Sequence, residues 1–265
     1  MATTLLIYET AVPVSKTKHA DLSVDSGMGY GFSRNVNAVP LMAVEFPNAA
    51  AEYAIVFAGS GDEVVPAVVL GLREQENLYL AKEGAWSARY IPAFVRRYPF
   101  VFANAEDGKT VTLCIDEAFK GLNREGRGER LFDADGKQTP YVDNVLKFLQ
   151  QYQLEFRRTQ AFCRKLRELN LLEPMRAQVA LASGERVSLE GFMAVERARL
   201  KTLNAERIAE LARTDELELI YSHLQSLRNF GAVRERMGGI APGPAPAAEK
   251  SDRDEKKADR PAKKR

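Results

Sequence analysis

Residues 84–100 read GAWSARYIPAFVRRYPF and hold the only tryptophan of the 265-residue chain. Trp86, Tyr90, Phe94 and Tyr98 recur every fourth residue, the spacing at which side chains on a helix share a face. Pro92 suits a first helical turn, where its missing N–H costs nothing, and Pro99 forces a stop. The stretch predicts a short helix with its rings turned inward and Arg89, Arg96 and Arg97 left near an accessible rim. Trp86, Tyr90, Arg96 and Arg97 are therefore the candidate ligand-binding residues. Aromatic faces stack on sugars, and guanidinium forks hold carboxylates or phosphates. The same spacing also suits a plain core helix with solvated arginines, because large aromatics mostly bury area. No residue pattern here names a reaction.

Upstream, residues 1–64 read as strands and turns, beginning with the short apolar run at residues 5–8. Gly27, Gly29 and Gly31 recur at period two and suit a closely packed strand better than a phosphate cradle. Residues 48–53 suit one or two helical turns. The apolar run at residues 54–58 leads into Gly59-Ser60-Gly61. A dinucleotide fingerprint needs a third glycine three places on; Val64 stands there, and residues 65–70 read as the return strand of a hairpin. A further strand is expected at residues 77–81.

Downstream, residues 110–115 are strongly β-branched and read as a strand. Asp133 and Asp135 alternate before Gly136, but a calcium loop counted back from that glycine would begin at Leu131, so a turn is expected. Thr139-Pro140 is a cap followed by proline at the first helical position. Val142, Val145, Leu149, Tyr152, Phe156, Phe162 and Leu166 then follow a three-four rhythm, predicting a helix about 40 Å long that ends near Pro174. Met175, Ala177, Val179 and Leu181 alternate with polar residues, and Ser183-Gly184 turns the chain into a partner strand, making a hairpin. Two helices follow, one over 205–213 capped by Asn204, the other opened by a capping box of Asp215 and Glu218. The fold class expected is α+β: a mostly antiparallel first half, then a long helix, a hairpin and two C-terminal helices. Residues 1–239 read as a single globular domain and residues 240–265, rich in Pro, Ala and Lys, as a disordered tail.

Forty-five per cent apolar and 28% charged residues suffice for a sizeable core. The formal charge of +2 conceals a tail of +3 beyond residue 248 and a nearly neutral remainder, which argues against a nucleic-acid partner. Cys114 and Cys163 are the only cysteines and read as free thiols. No window approaches the ~18 apolar residues of a membrane helix, and the N-terminus lacks signal-peptide features. A cytoplasmic location is expected, or a surface one if export leaves no N-terminal mark.

His19 and His223 are the only histidines. With Glu45 they are the alternative acid–base candidates, should the chain be an enzyme acting on a small acidic or sugar substrate. Paired metal-ligand spacing is absent, as is the Gly-x-Ser-x-Gly elbow of a serine hydrolase. Glu45, Asp62, Glu83 and Asp116 could include a carboxylate pair. Neither a metal nor a cofactor is implied, and no catalytic residue is assigned.

The chain resembles a family from about Val12 to Phe230. Lys18-His19, Val39-Pro40-Leu41, Glu45-Phe46, Ile55-Val56-Phe57, Leu70-Gly71-Leu72 and Asn77-Leu78 carry the likeness. Gly84, Trp86, Tyr90-Ile91-Pro92-Ala93 and Arg96-Arg97-Tyr98-Pro99-Phe100 are its most specific block. Leu131-Phe132, Gly136, Gly191-Phe192, Tyr221, His223-Leu224 and Ser226-Leu227 fit the same pattern. These residues resemble the bacterial SapC family, named from a locus for a paracrystalline surface layer. The resemblance implies a non-catalytic accessory or binding protein of a surface-layer or envelope-polysaccharide system, with an envelope glycan or a surface-layer protein as partner. It carries no established reaction, and the tail lies outside the family pattern.

Overall fold

A computed structural model describes residues 6–104, 111–181, 184–238 and 249–250, and the fold is α+β. The strands are β1 (Ala11–Pro13), β2 (Ser23–Val24), β3 (Ala38–Pro40), β4 (Ile55–Ala58), β5 (Val65–Val69), β6 (Phe100–Asn104) and β7 (Val111–Asp116). They continue with β8 (Leu122–Asn123), β9 (Glu129–Arg130), β10 (Leu172–Ala180), β11 (Arg186–Val195) and β12 (Glu249–Lys250). The helices are α1 (Lys16–His19), α2 (Phe46–Ala49), α3 (Ala93–Arg96), α4 (Pro140–Glu168), α5 (Arg197–Thr202), α6 (Ala205–Arg213), α7 (Glu216–Ser226) and α8 (Phe230–Arg236).

The central sheet runs β12-β10-β11-β4-β5-β3 with antiparallel neighbours. Its middle strands bury both faces, so apolar residues of opposite parity serve different cores. Ile55, Phe57 and Val68 pack with Phe162, Cys163, Leu166, Leu211 and Ile220. Ala54, Val56, Ala67 and Val69 pack with Val179, Phe192, Phe230 and Val233. A second sheet, β1-β7-β6, shares a third core with the first turns of α4, through Phe100, Ile115, Val142 and Leu149. With 29 residues α4 is about 44 Å long at ~1.5 Å per residue. It therefore reaches from this third core to the central sheet.

The hairpin at residues 55–69 forms as its turn residues predict, with Ile55 opposite Val68 and Ala58 opposite Val65. The long helix, the β10–β11 hairpin, the turn at Gly136 and the Asn204 cap also form. Several local expectations are corrected. Residues 6–10 are not a strand, and residues 77–81 make only a single bridge, Leu80 to Trp86. Gly27, Gly29 and Gly31 lie in and between two short 3₁₀ turns rather than a strand. Gly29 is nonetheless required: its φ is +68°, and a Cβ there would stand 2.9 Å from the Gly84 carbonyl oxygen. β10 begins earlier than expected, because Asn170 at φ +51° turns the chain out of α4 before Pro174 is reached. Part of the turn at 183–184 lies outside the described residues. The proposed tail does too, except for β12, which pairs with Met175 and Arg176 at the sheet edge.

Candidate functional site

The aromatic stretch is helical only over α3. Trp86 and Tyr90 precede it in non-helical backbone, and Pro92 is the N-cap rather than a first-turn residue. Local spacing suggested otherwise, but these two side chains find partners distant in sequence. The Trp86 Nε1–H donates to the Tyr53 hydroxyl at 2.7 Å, and that hydroxyl donates to the Tyr90 carbonyl. The Glu52 carboxylate accepts the backbone N–H groups of Arg89 and Tyr90. Glu45, 4% exposed, accepts the Tyr90 hydroxyl at 2.6 Å, the Ala93 N–H at 2.7 Å and the Met42 N–H at 2.8 Å. One buried carboxylate thus fixes where the stretch enters α3. Trp86 is half-buried, edge-on to Tyr30 and stacked beside Tyr79.

Arg96 and Arg97 part company in this arrangement. Arg97 lies three residues after Phe94, on the inward face, and is only 7% exposed, so it does not occupy the accessible rim expected for it. Its guanidinium carbon stands 4.3 Å from the Phe94 ring centroid, 4.8 Å from that of Tyr152 and 5.5 Å from that of Tyr8. Cation–π attraction of this kind offsets part of the cost of burying charge. Arg96 points outward. Its Nε donates to the Ile91 carbonyl at 3.0 Å, and its guanidinium lies 5.4 Å from the Phe148 centroid and 5.9 Å from that of Tyr90. Among the described residues no carboxylate pairs with it.

A cavity lies on each side of this arginine pair. One, of about 430 Å³, is walled by Arg96, Tyr30, Phe32, Tyr98, Tyr141 and Phe148, with Asn144 and Ser26 among its polar lining. The other, of about 540 Å³, lies between α4, β6 and the β4–β5 hairpin; Phe94 and Tyr152 contribute to its wall, and Arg97 and Leu149 line both cavities. Phe32 and Tyr98 stack with ring centroids 3.9 Å apart. Burial holds the Tyr98 and Tyr90 hydroxyls protonated by raising their pKa values, aided by Asp116 and Glu45 respectively. Both phenols therefore stay neutral, each bonded to its carboxylate.

The acid–base candidates are held apart by separate sets of partners. His19 is buried on α1; Ser15 N–H donates to its Nδ1 at 3.0 Å, which leaves Nε2–H facing Glu117 at 3.3 Å. His223, at 0% exposure, donates from Nδ1 to the Ile55 carbonyl and accepts the Val195 N–H at Nε2, both at 3.0 Å. It ties α7 to β4 and β11, and burial lowers its pKa to about 4. Neither histidine lines either cavity. Asp116 is buried and accepts the N–H groups of Glu9, Thr10 and Ala118. Glu83 is exposed, and the Asp62 side chain lies outside the described residues. Both thiols are buried, and burial pushes that of Cys163 up to about 12. Among the described residues no cluster of His, Cys, Asp and Glu could hold a metal ion, and no helix is long and apolar enough to cross a membrane.

Sequence spacing pointed to Arg96 and Arg97 but missed Tyr30, Phe32 and the α4 face of Tyr141, Asn144 and Phe148. These join the site through tertiary contact, and the local pattern around them shows only ordinary amphipathicity. Comparison with known proteins finds no curated protein and no solved structure that matches significantly. A family model, SapC, matches residues 14–233, most of the chain.

Proposed function

The chain belongs to the SapC family, and we propose that it is a non-catalytic binding protein of a surface-layer or envelope-polysaccharide system, seating an acidic sugar in the aromatic cavity beside Arg96. The observation that carries this reading is the Arg96 guanidinium, exposed and without a carboxylate partner among the described residues, at the wall of a cavity lined by aromatic rings. Rings of this kind stack on the apolar faces of sugars, and the guanidinium supplies a fork for a carboxylate or phosphate. Asn144 and Ser26 offer hydrogen bonds to ring hydroxyls. The non-catalytic reading draws support from the imidazoles, whose ring nitrogens are committed to partners away from the cavity.

Calorimetric titration with oligogalacturonate tests this reading, with neutral maltooligosaccharide as the control. Saturable binding of the acidic sugar is expected, weakened roughly tenfold or more in Arg96→Ala, since a charge-assisted hydrogen bond contributes about 1.5–3 kcal/mol. The melting temperature should barely move, because Arg96 is exposed. Equal binding by the variant would remove the site. Fractionation of host cells tests the surface association separately: envelope-bound protein is expected, and a wholly soluble cytosolic pool would count against it.

A further inference from the structure

The two cavities follow one another along a single face of α4. Tyr141, Val145 and Phe148 line the first, and Tyr152, Phe156 and Gln160 line the second. Steps of four, three, four, four and four residues keep all six on one side of the helix. The stripe is about 29 Å long at ~1.5 Å per residue. Buried Arg97 and Leu149 line both cavities and so mark where they meet. A single sugar would cover only part of that length. We propose that the ligand is a linear oligosaccharide, its acidic unit at Arg96 and the uncharged units after it running along α4 over the second cavity. This rests on the acidic-sugar reading and extends it.

The chemistry changes along the stripe. At the first cavity Arg96 is exposed and can meet a carboxylate. The second cavity offers a ligand no such cation, because Arg97 is 7% exposed and its guanidinium is packed among the rings of Phe94, Tyr152 and Tyr8. Glu63, also in that lining, is exposed and would repel an acidic unit. What remains is uncharged. Ser60, Gln153 and Gln160 supply donors and acceptors for hydroxyls. Tyr152 and Phe156 are half-buried and offer rings to the apolar side of a sugar. Ser60 and Glu63 open the cavity to water at their side, so hydroxyls that point outward there keep their hydration. A neutral unit suits this lining, and an acidic one does not.

The test is titration of the full chain with methyl glucuronide, the acidic unit alone, and with glucuronosyl-xylotriose, in which three neutral units follow it. The longer ligand should bind roughly tenfold tighter or more, through hydrogen bonds and stacking in the second cavity. Gln153→Trp, at a half-exposed position on α4, should fill that cavity and remove the gain. Methyl glucuronide should keep its affinity for this variant, and the melting temperature should be retained. Glu63→Gln should tighten tetragalacturonate a few-fold at low salt and leave glucuronosyl-xylotriose unchanged. Equal affinity for the short and long ligands, an unaltered gain in Gln153→Trp, or tetragalacturonate indifferent to Glu63→Gln would each overturn the proposal. If the acidic ligands depend on Arg96 and added length contributes nothing, only this extension falls. If no acidic sugar shows binding that depends on Arg96, the underlying reading falls and takes the extension with it.

Discussion

Glu45 shows what a single buried carboxylate can organise. It gathers two backbone N–H groups and a phenol from segments 48 residues apart, and nothing near it in sequence announces that role. Glu45→Ala would leave three donors without their acceptor, at about 1–3 kcal/mol for each left unsatisfied. A loss of 3 kcal/mol or more in urea denaturation is expected, with Glu45→Gln milder because it keeps one acceptor oxygen. His223 makes a pH prediction. Burial lowers its folded pKa to about 4 from an ordinary 6.5, so the unfolded chain binds the proton more readily. Its contribution is fully present above pH 6.5 and is lost as pH falls through 4, on the order of 3 kcal/mol in all. Urea midpoints should decline across that window. In His223→Gln the decline should flatten, and a slope identical to the parent's would refute the assignment. Arg97 was legible as a site candidate but not as a buried one. Its position follows from the phase of one helical turn, which no pattern shorter than α3 itself reveals.

Among the elements, legibility tracks how much of the structure is held by neighbours in sequence. α4, the β4–β5 hairpin and α6 could be read directly, since periodicity, a glycine turn and an N-cap are local signals. The Asn204 side chain accepts the Arg207 N–H at 2.9 Å, and Asn204→Ala should cost about 1 kcal/mol by thermal denaturation. Elsewhere the same signals misled. Asp215 sits at φ +59° without capping α7 through its side chain, so the box read from Asp215 and Glu218 does not form. Thr139 precedes α4 as expected, yet its hydroxyl donates to the Arg130 carbonyl rather than accepting from the helix. The four-residue spacing of Trp86 and Tyr90 coincides with a helical repeat, but Tyr53, Glu52 and Glu45 hold that stretch in non-helical form. Tyr90→Phe removes only the hydroxyl bond to Glu45. It should destabilise by about 1–2 kcal/mol, with hydrogen exchange quickened at the Ala93 amide.

For the whole molecule, the decisive fact is that β11 lies between β10 and β4, with Phe192 opposite Ala58 and Met193 opposite Phe57. Strands from either side of the long helix therefore complete one sheet. The class of fold could be anticipated from the order of elements, but this interleaving could not, because strand alternation fixes which face is buried and not which edge is met. Residues 1–139 expressed alone should be insoluble or unfolded, and co-expression with residues 140–265 should recover soluble material. A folded, monomeric first fragment by circular dichroism would contradict the pairing. The same interleaving sets a timetable for biosynthesis. As the polypeptide leaves the ribosome, β4 waits with an open, apolar border until some 135 further residues have emerged. During that interval the border is open to pairing with other chains.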